Sequence, residues 1–338
     1  MRPELEELCA RYIAARDAVG KAFRWDDSAL YAVCANIFCA AGQAADPDRL
    51  KECLKVIKSA AGPFSVFRSR KVRSILASML ALGESPEKRM ALAQDRYRML
   101  RRMFRGTEYL VLAAFLLDDL ADTALTEETG ARGKALCRRM NQKHRLLTDK
   151  TDSVFAALMA LSDKTDDELI DGTEACYRIL KRRFSGGGAQ TAAQVLSMAD
   201  GTPEEKAERV TALYDALADA GVRYGRSGEI APLAALSLAD SPALTLAEEI
   251  RDADEFLKGQ KGYAPKETDE KQRAMQAVMI VSDRYAGTEK VNVTVMTNIL
   301  DMLFSRQTAS RISLAANILE ALLQAVAAAR KDGDGEKD

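Results

Sequence analysis

The chain has 338 residues, of which 47% are apolar and 29% charged, and its formal net charge is −1. That is ordinary for a soluble protein and argues against a strongly basic nucleic-acid binder. The helix formers Ala, Leu, Met, Arg and Glu are abundant, only 6% of residues are aromatic, and no sustained period-two alternation or Asn-Gly turn marks a strand or hairpin.

In chain order, residues 1–27 predict a capping helix ending near Trp25-Asp26-Asp27. Its start, MRPELEEL, is acidic and lacks the apolar core of a secretory signal. The uncharged run 28–45 contains Asn36, Gly42 and Gln43, so it reads as a buried helix and not a membrane span. Asp46-Pro47, Ser85-Pro86-Glu87, Thr202-Pro203-Glu204-Glu205 and Ser241-Pro242 read as helix starts. In the third of these, Glu205 stands where a capping box needs it. Across 90–105, Ala93, Tyr97, Leu100 and Phe104 form an apolar stripe beside a row of arginines. Gly186-Gly187-Gly188 reads as a hairpin turn, residues 257–268 as a long loop or seam, and 331–338 as a disordered tail.

One pattern recurs from end to end. An alanine flanked by bulky apolar residues appears as Ala35, Ala77, Ala113, Ala156, Ala193, Ala234, Ala277 and Ala315. The gaps are 42, 36, 43, 37, 41, 43 and 38 residues. A beat near forty predicts an all-α superhelical stack of about eight helical hairpins, an α/α solenoid of the HEAT or TPR kind. Each copy is expected to open a hairpin, with a short apolar helix followed by a longer amphipathic one. Residues 28–256 would form the array, 257–330 further hairpins of the same array. A longer repeat overlies the short one: Tyr97–Gly106 matches Tyr177–Gly186 at an offset of 80 residues.

The stretches FRWDDSALYAV (23–33), FSVFRSRKVRSILASMLAL (64–82), GTEYLVLAAFLL (106–117) and HRLLTDKTDSVFAALMAL (144–161) together resemble the bacterial family known as domain of unknown function 4003. The similarity runs over about residues 20–255. It implies a cytosolic bacterial protein and carries over no catalytic residue, because the family has no assigned activity.

The candidate sites are few. His144 is the only histidine. As a base it would need Asp149 or Asp152 to orient it, whereas a helix end rich in negative dipole explains it without catalysis. Asp118-Asp119-Leu120-Ala121-Asp122 spells D-D-x-x-D, a run able to hold a hard cation. It has no second acidic motif and reads more simply as a solvated helix end. Asp332-Gly333-Asp334 has the beginning of a calcium loop but not its length. No phosphate loop, dinucleotide fingerprint, nucleophile elbow or H-E-x-x-H motif occurs. No cofactor is implied. The six cysteines read as reduced, buried thiols of a cytosolic protein.

Charge is the most tangible surface feature. Residues 68–105 carry eleven basic and three acidic side chains, and 200–256 carry five and thirteen. Arg98, Arg101, Arg102 and Arg105 line one helix face, and Arg178, Lys181 and Arg182 repeat part of it. The reading with most support is a non-catalytic cytosolic module that binds a protein or peptide. An enzyme or small-molecule site near His144, and nucleic-acid binding through the arginines, are the alternatives.

Overall fold

The computed structural model describes residues 1–24, 28–70, 72–104, 106, 108–119, 127–143, 156, 159–160, 162 and 164–285. Among these there are thirteen α-helices, one short 3-10 turn at Val66–Arg68 and no strand. The helices are α1 (Pro3–Ala22), α2 (Ser28–Ala40), α3 (Pro47–Ala60), α4 (Arg73–Ala81), α5 (Pro86–Leu100), α6 (Glu108–Asp119) and α7 (Glu127–Lys143). They continue as α8 (Asp166–Leu180), α9 (Gly186–Met198), α10 (Pro203–Asp219), α11 (Ile230–Leu236), α12 (Ala243–Lys258) and α13 (Glu270–Tyr285).

Two kinds of helix alternate. One kind is amphipathic and buries a single stripe, as α3 does with Leu50, Cys53 and Ile57 at three- and four-residue steps. The other kind is buried on every side: all seven residues of α11 are buried, and in α4 everything from Ser74 to Leu80. A helix apolar all round belongs inside. The amphipathic helices α1, α3, α5, α7, α8, α10 and α12 are therefore outer, and α2, α4, α6, α9, α11 and α13 inner. The repeating alanines sit on the inner layer. Ala35, Ala77, Ala113, Ala156, Ala193, Ala234 and Ala277 are each 0% exposed. Ala315 lies outside the described residues.

The pairing order corrects one expectation. Five amphipathic helices pack chiefly on the apolar helix that follows, α1 on α2, α3 on α4, α5 on α6, α8 on α9 and α12 on α13, whereas α10 packs more on its outer neighbours α12 and α8 than on α11. The apolar helix closes the hairpin and does not open it. Residues 1–22 are thus the outer half of the first hairpin. The glycines 186–188 begin α9 and are not a turn. Ser185 caps them by accepting from the Gly188 N–H at 3.3 Å. A Cβ on Gly188 would meet the Ser227 carbonyl at 2.1 Å, so only glycine lets this turn approach its neighbour.

A further finding concerns the two ends of the stack. Outer helices pack in sequence, α1 on α3, α3 on α5, α7 on α8, α8 on α10 and α10 on α12. Met103, just past α5, lies against Gly130 of α7. Then α12 packs on α1, and α13 packs on both α1 and α2. The first hairpin meets the last described one, and the array closes into a ring. Polar contacts hold the seam. The Tyr12 hydroxyl donates to Gln276 Oε1 at 2.9 Å, and Tyr263, from the loop after α12, donates to the same oxygen at 2.5 Å. The Arg16 guanidinium lies 4.9 Å from the centroid of the Tyr263 ring. Glu249, nearly buried, accepts from Arg2 at 3.1 Å, Arg284 at 2.6 Å and the Tyr285 hydroxyl at 3.0 Å. Inside the last hairpin, Arg273 grips Asp254 through two bonds of 2.9 and 3.0 Å. Burial still pushes the Asp254 carboxyl above its ordinary range.

The described cysteines are all free, and all but the half-buried Cys137 are buried. Burial raises the Cys9 thiol to about 12 and the Cys176 thiol to about 11, which keeps both protonated and unreactive. No helix is long and apolar enough to cross a membrane among the described residues.

Two measurements check this architecture. Ala193→Leu overfills the inner layer and should cost about 1–3 kcal/mol in denaturant unfolding, while a leucine at the exposed Arg182 should cost little. The seam should show in the pH dependence of stability. Burial raises the Tyr12 and Tyr263 hydroxyls above the ordinary value of 10.0, so the folded chain keeps protons that the unfolded chain loses. Their contribution is full below that pH and is lost as pH rises through the folded values. Tyr12→Phe should therefore flatten the fall in stability above pH 10.0 relative to wild type.

Candidate functional site

Contacts between like ends set α3 beside α5, and α8, α10 and α12 beside one another, in the same direction: Arg49 of α3 reaches Gly83 before α5, Lys164 before α8 reaches Ala199 before α10, and Arg209 of α10 reaches Ala239 before α12. These helices therefore present their C-termini together on one edge and their N-termini on the other.

The predicted arginines fall on the first edge. Arg98 ends α5, with Arg101 and Arg102 just beyond; Arg178 lies in the last turn of α8, with Lys181 and Arg182 following. All six are exposed. Beneath them, Leu100 and Phe104 of one copy and Leu180 and Phe184 of the other are buried, which fixes both segments in one orientation. Arg98 pairs with Asp95. Arg101 lies across Gly106. Arg178 Nε donates to the Glu174 carbonyl at 3.4 Å, and the Lys181 ammonium stands 5.2 Å from the centroid of the Tyr177 ring. The end of α7 is set differently: its last residue, Lys143, bonds Asp171 in the first half of α8 at 3.3 Å. Lys21, Lys58 and Lys258 extend the edge at the ends of α1, α3 and α12, and α10 alone among the outer helices has no base in its last turn. Cations at helix C-termini are favoured by the dipole, which accounts for one residue per helix but not for the doubled arginines of α5 and α8.

The other edge is acidic. Glu4 and Glu6, Asp48, Glu87, Asp166 with Asp167 and Glu168, and Glu204 with Glu205 occupy the first turns of five outer helices. Thr165 and Thr202 close capping boxes there with Glu168 and Glu205. Those hydrogen bonds hold both carboxyls below their ordinary range.

This acidic edge also contains a device that sequence reasoning missed. The inner helices end here, and their last carbonyls lack partners within the helix. Cations from outer helices supply them. Arg89 donates to the Met79 carbonyl at 2.6 Å, and Arg49 to Gly83 at 2.9 Å. Arg132 donates to Ala160 at 3.1 Å and Ser162 at 2.7 Å, and also to Lys164. Arg209 serves Ser237 at 2.7 Å and also Ala239. At the end of α9 two lysines act together: Lys206 donates to Leu196 and Ala199 at 2.7 and 2.9 Å, and Lys164 to Ser197 and Ala199 at 3.3 and 2.6 Å. The available signal was the spacing Pro86 to Arg89 and Pro203 to Lys206, a cation in the first turn after a helix-starting proline.

Lys206 is 5% exposed and borders two clefts of about 780 and 500 Å3. Burial, and to a smaller extent the Lys164 ammonium, push its pKa down. Both clefts are walled by carboxylates, including Asp200 and Glu208 in the larger and Asp167 and Asp171 in the smaller. The Lys206 ammonium is committed to backbone carbonyls, so its role is to terminate α9.

The remaining candidates lie elsewhere. His144, Asp149, Asp152, Asp122 and Arg105 fall outside the described residues. Asp118 and Asp119 are the last two residues of α6, and their side chains are not among those described. Among the described residues, no three His, Cys, Asp or Glu side chains gather as a metal site would require.

Comparison with known families decides the affiliation. A model of the family described as protein of unknown function, DUF4003, matches residues 17–309. The chain belongs to this family. The match begins within α1 and runs past α13, so it contains every described inner helix. No curated protein and no solved structure matches the chain.

Lys206→Met would strip the carbonyls of Leu196 and Ala199 of a charged donor. The cost should be about 1–3 kcal/mol, seen as a lower denaturant midpoint with an unchanged slope.

Proposed function

We propose that this chain is a non-catalytic cytosolic binding ring whose basic edge takes an acidic protein or peptide surface. The observation that carries this reading is the pair of equivalent arginine-rich ends on α5 and α8, both exposed above the same buried anchors, Leu100 with Phe104 and Leu180 with Phe184. The basic residues run on past each helix end, as Arg101 with Arg102 and Lys181 with Arg182, and all four are exposed. A protein surface suits them better than a nucleic acid. The overall charge is −1, where a nucleic-acid binder would carry a basic excess. Exposed ion pairs are individually weak, so affinity would come from many contacts at once and would fall with salt.

Closure of the ring moves the expected site. An open solenoid offers a long concave face, but here the inner helices are buried on all sides and the accessible chemistry lies at the edges. Immobilised polyglutamate should retain the protein at low ionic strength and release it as salt rises. Arg98→Glu combined with Arg102→Glu should weaken retention at least about tenfold, since each reversal removes an attraction and adds a repulsion. Retention of RNA in place of polyglutamate would favour the nucleic-acid reading, and indifference of both to the substitutions would remove the basic edge from consideration.

A further inference from the structure

A fully exposed aromatic side chain stands on the basic surface where α3 and α5 end. We infer that this residue, Phe64, is the apolar anchor of that surface, and that the acidic partner is a protein segment with bulky apolar side chains among its carboxylates. This rests on the basic surface binding acidic protein, as proposed above, and adds what it selects.

The local sequence holds Phe64 out. Helix α3 ends at Ala60, and the Ser65 N–H donates to the Gly62 carbonyl at 3.0 Å, closing a tight turn over Pro63 and Phe64. Proline at the second position of such a turn fixes its backbone. Ser65 Oγ then accepts from the Phe67 N–H at 3.3 Å and opens the 3-10 turn. The Phe67 ring goes inward. It is buried, edge to face with the Tyr97 ring of α5 at 5.1 Å and 6.5 Å from the Phe115 ring of α6. Phe64 is thus presented on a short, tied loop, which lowers the entropy lost when a partner captures it.

The fold has no need of this ring. The offset of 157 residues that takes Ala77 to Ala234 also takes the buried Phe67 to the buried Tyr224, and it takes Phe64 to Gly221. The equivalent loop is built with no side chain at this point. A phenyl ring held in water forgoes the gain of burial, and a partner can restore it.

The surroundings are basic. No Asp or Glu lies between Glu52 and Glu84, where Lys55, Lys58, Arg68, Arg70, Lys71 and Arg73 occur. Gln94 of α5 donates to the Ala60 carbonyl at 2.9 Å, and Phe67 meets Tyr97, so the loop lies along the last turns of α5. There Arg98 and Arg101 are exposed. The nearby carboxylates are engaged: Asp95 pairs with Arg98, and Glu108 accepts from the Ser69 hydroxyl at 3.4 Å. An aromatic side chain rimmed by arginines is the pattern of a protein interface whose binding energy is concentrated at one point. A bilayer takes up a broad apolar face. Across 58–70 and 94–102, Phe64 is the only exposed large apolar side chain.

Retention of the full chain on three probes tests this: polyglutamate, a random glutamate–tyrosine copolymer of equal charge, and vesicles of phosphatidylglycerol with phosphatidylcholine. Wild type should hold the copolymer at least about tenfold more tightly than polyglutamate, the gain expected from burying an aromatic ring. Phe64→Ser should remove that preference and leave polyglutamate binding unchanged. Its denaturant midpoint should match wild type, because the side chain is fully exposed. Leu244→Ser, at an exposed apolar side chain of α12, should leave the preference intact. A copolymer held no more tightly than polyglutamate, or a preference that survives Phe64→Ser, overturns the anchor and leaves the basic surface standing. Failure to retain either polymer overturns the basic surface as well. Vesicles captured through Phe64 by a protein indifferent to the copolymer also reject the inference, because the anchor then enters lipid.

Discussion

The fold depends on close approach of helices that have no solvent-facing side. The inner helices α2, α4, α9, α11 and α13 pack both on an outer partner and on an inner neighbour, and such a layer is closest where a methyl group is the largest side chain. Ala35, Ala77, Ala113, Ala156, Ala193, Ala234 and Ala277 are that position. Bulky residues on either side, such as Ile75 and Met79 around Ala77, fill the space toward the outer layer. Size alternation around one small residue lets a chain with few aromatics build a continuous core by repetition.

This constraint is also what made the chain legible. A period near forty with alanine at its centre can be read directly from the letters, and it located every described inner helix. Helix starts were equally plain at Asp46 and Thr202, because capping is local chemistry between residues three apart. The order within each hairpin was not readable. An apolar helix between two amphipathic ones carries no mark of which neighbour it joins, and the choice is made by packing. Closure was hidden for a deeper reason. Whether a stack of hairpins curls into a ring depends on a small rotation per repeat, summed around the array, and no single residue encodes that sum. Only the seam leaves traces, and Tyr12, Gln276 and Tyr263 are too far apart in sequence to be recognised as partners.

The candidate surface was half legible for a similar reason. The arginines of 98–105 and 178–182 stood out as a repeated charge run. Their equivalent setting, exposed above Leu100 with Phe104 and Leu180 with Phe184, appears only in the structure. The cations that terminate the inner helices were overlooked because Arg89 and Lys206 look like ordinary members of a charged helix start. They are drawn inward by carbonyls that the chain cannot otherwise satisfy at a buried helix end.

Closing the array changes where function can reside. An open solenoid needs terminal repeats with a polar outer face, and its curvature leaves a concave wall for ligands. A ring with α1 packed on α12 and α13 needs no such terminal cover, because each end of the array serves as the other's neighbour. What remains accessible is the outer wall and two edges. The outer wall is the polar side of amphipathic helices, with ion pairs such as Arg183–Asp215 running between neighbours. The edges are where every helix begins or ends, so helix dipoles bring acidic residues to one and basic residues to the other. Charge therefore follows the direction of each outer helix, and the surplus arginines of α5 and α8 strengthen a pattern that the backbone has already set.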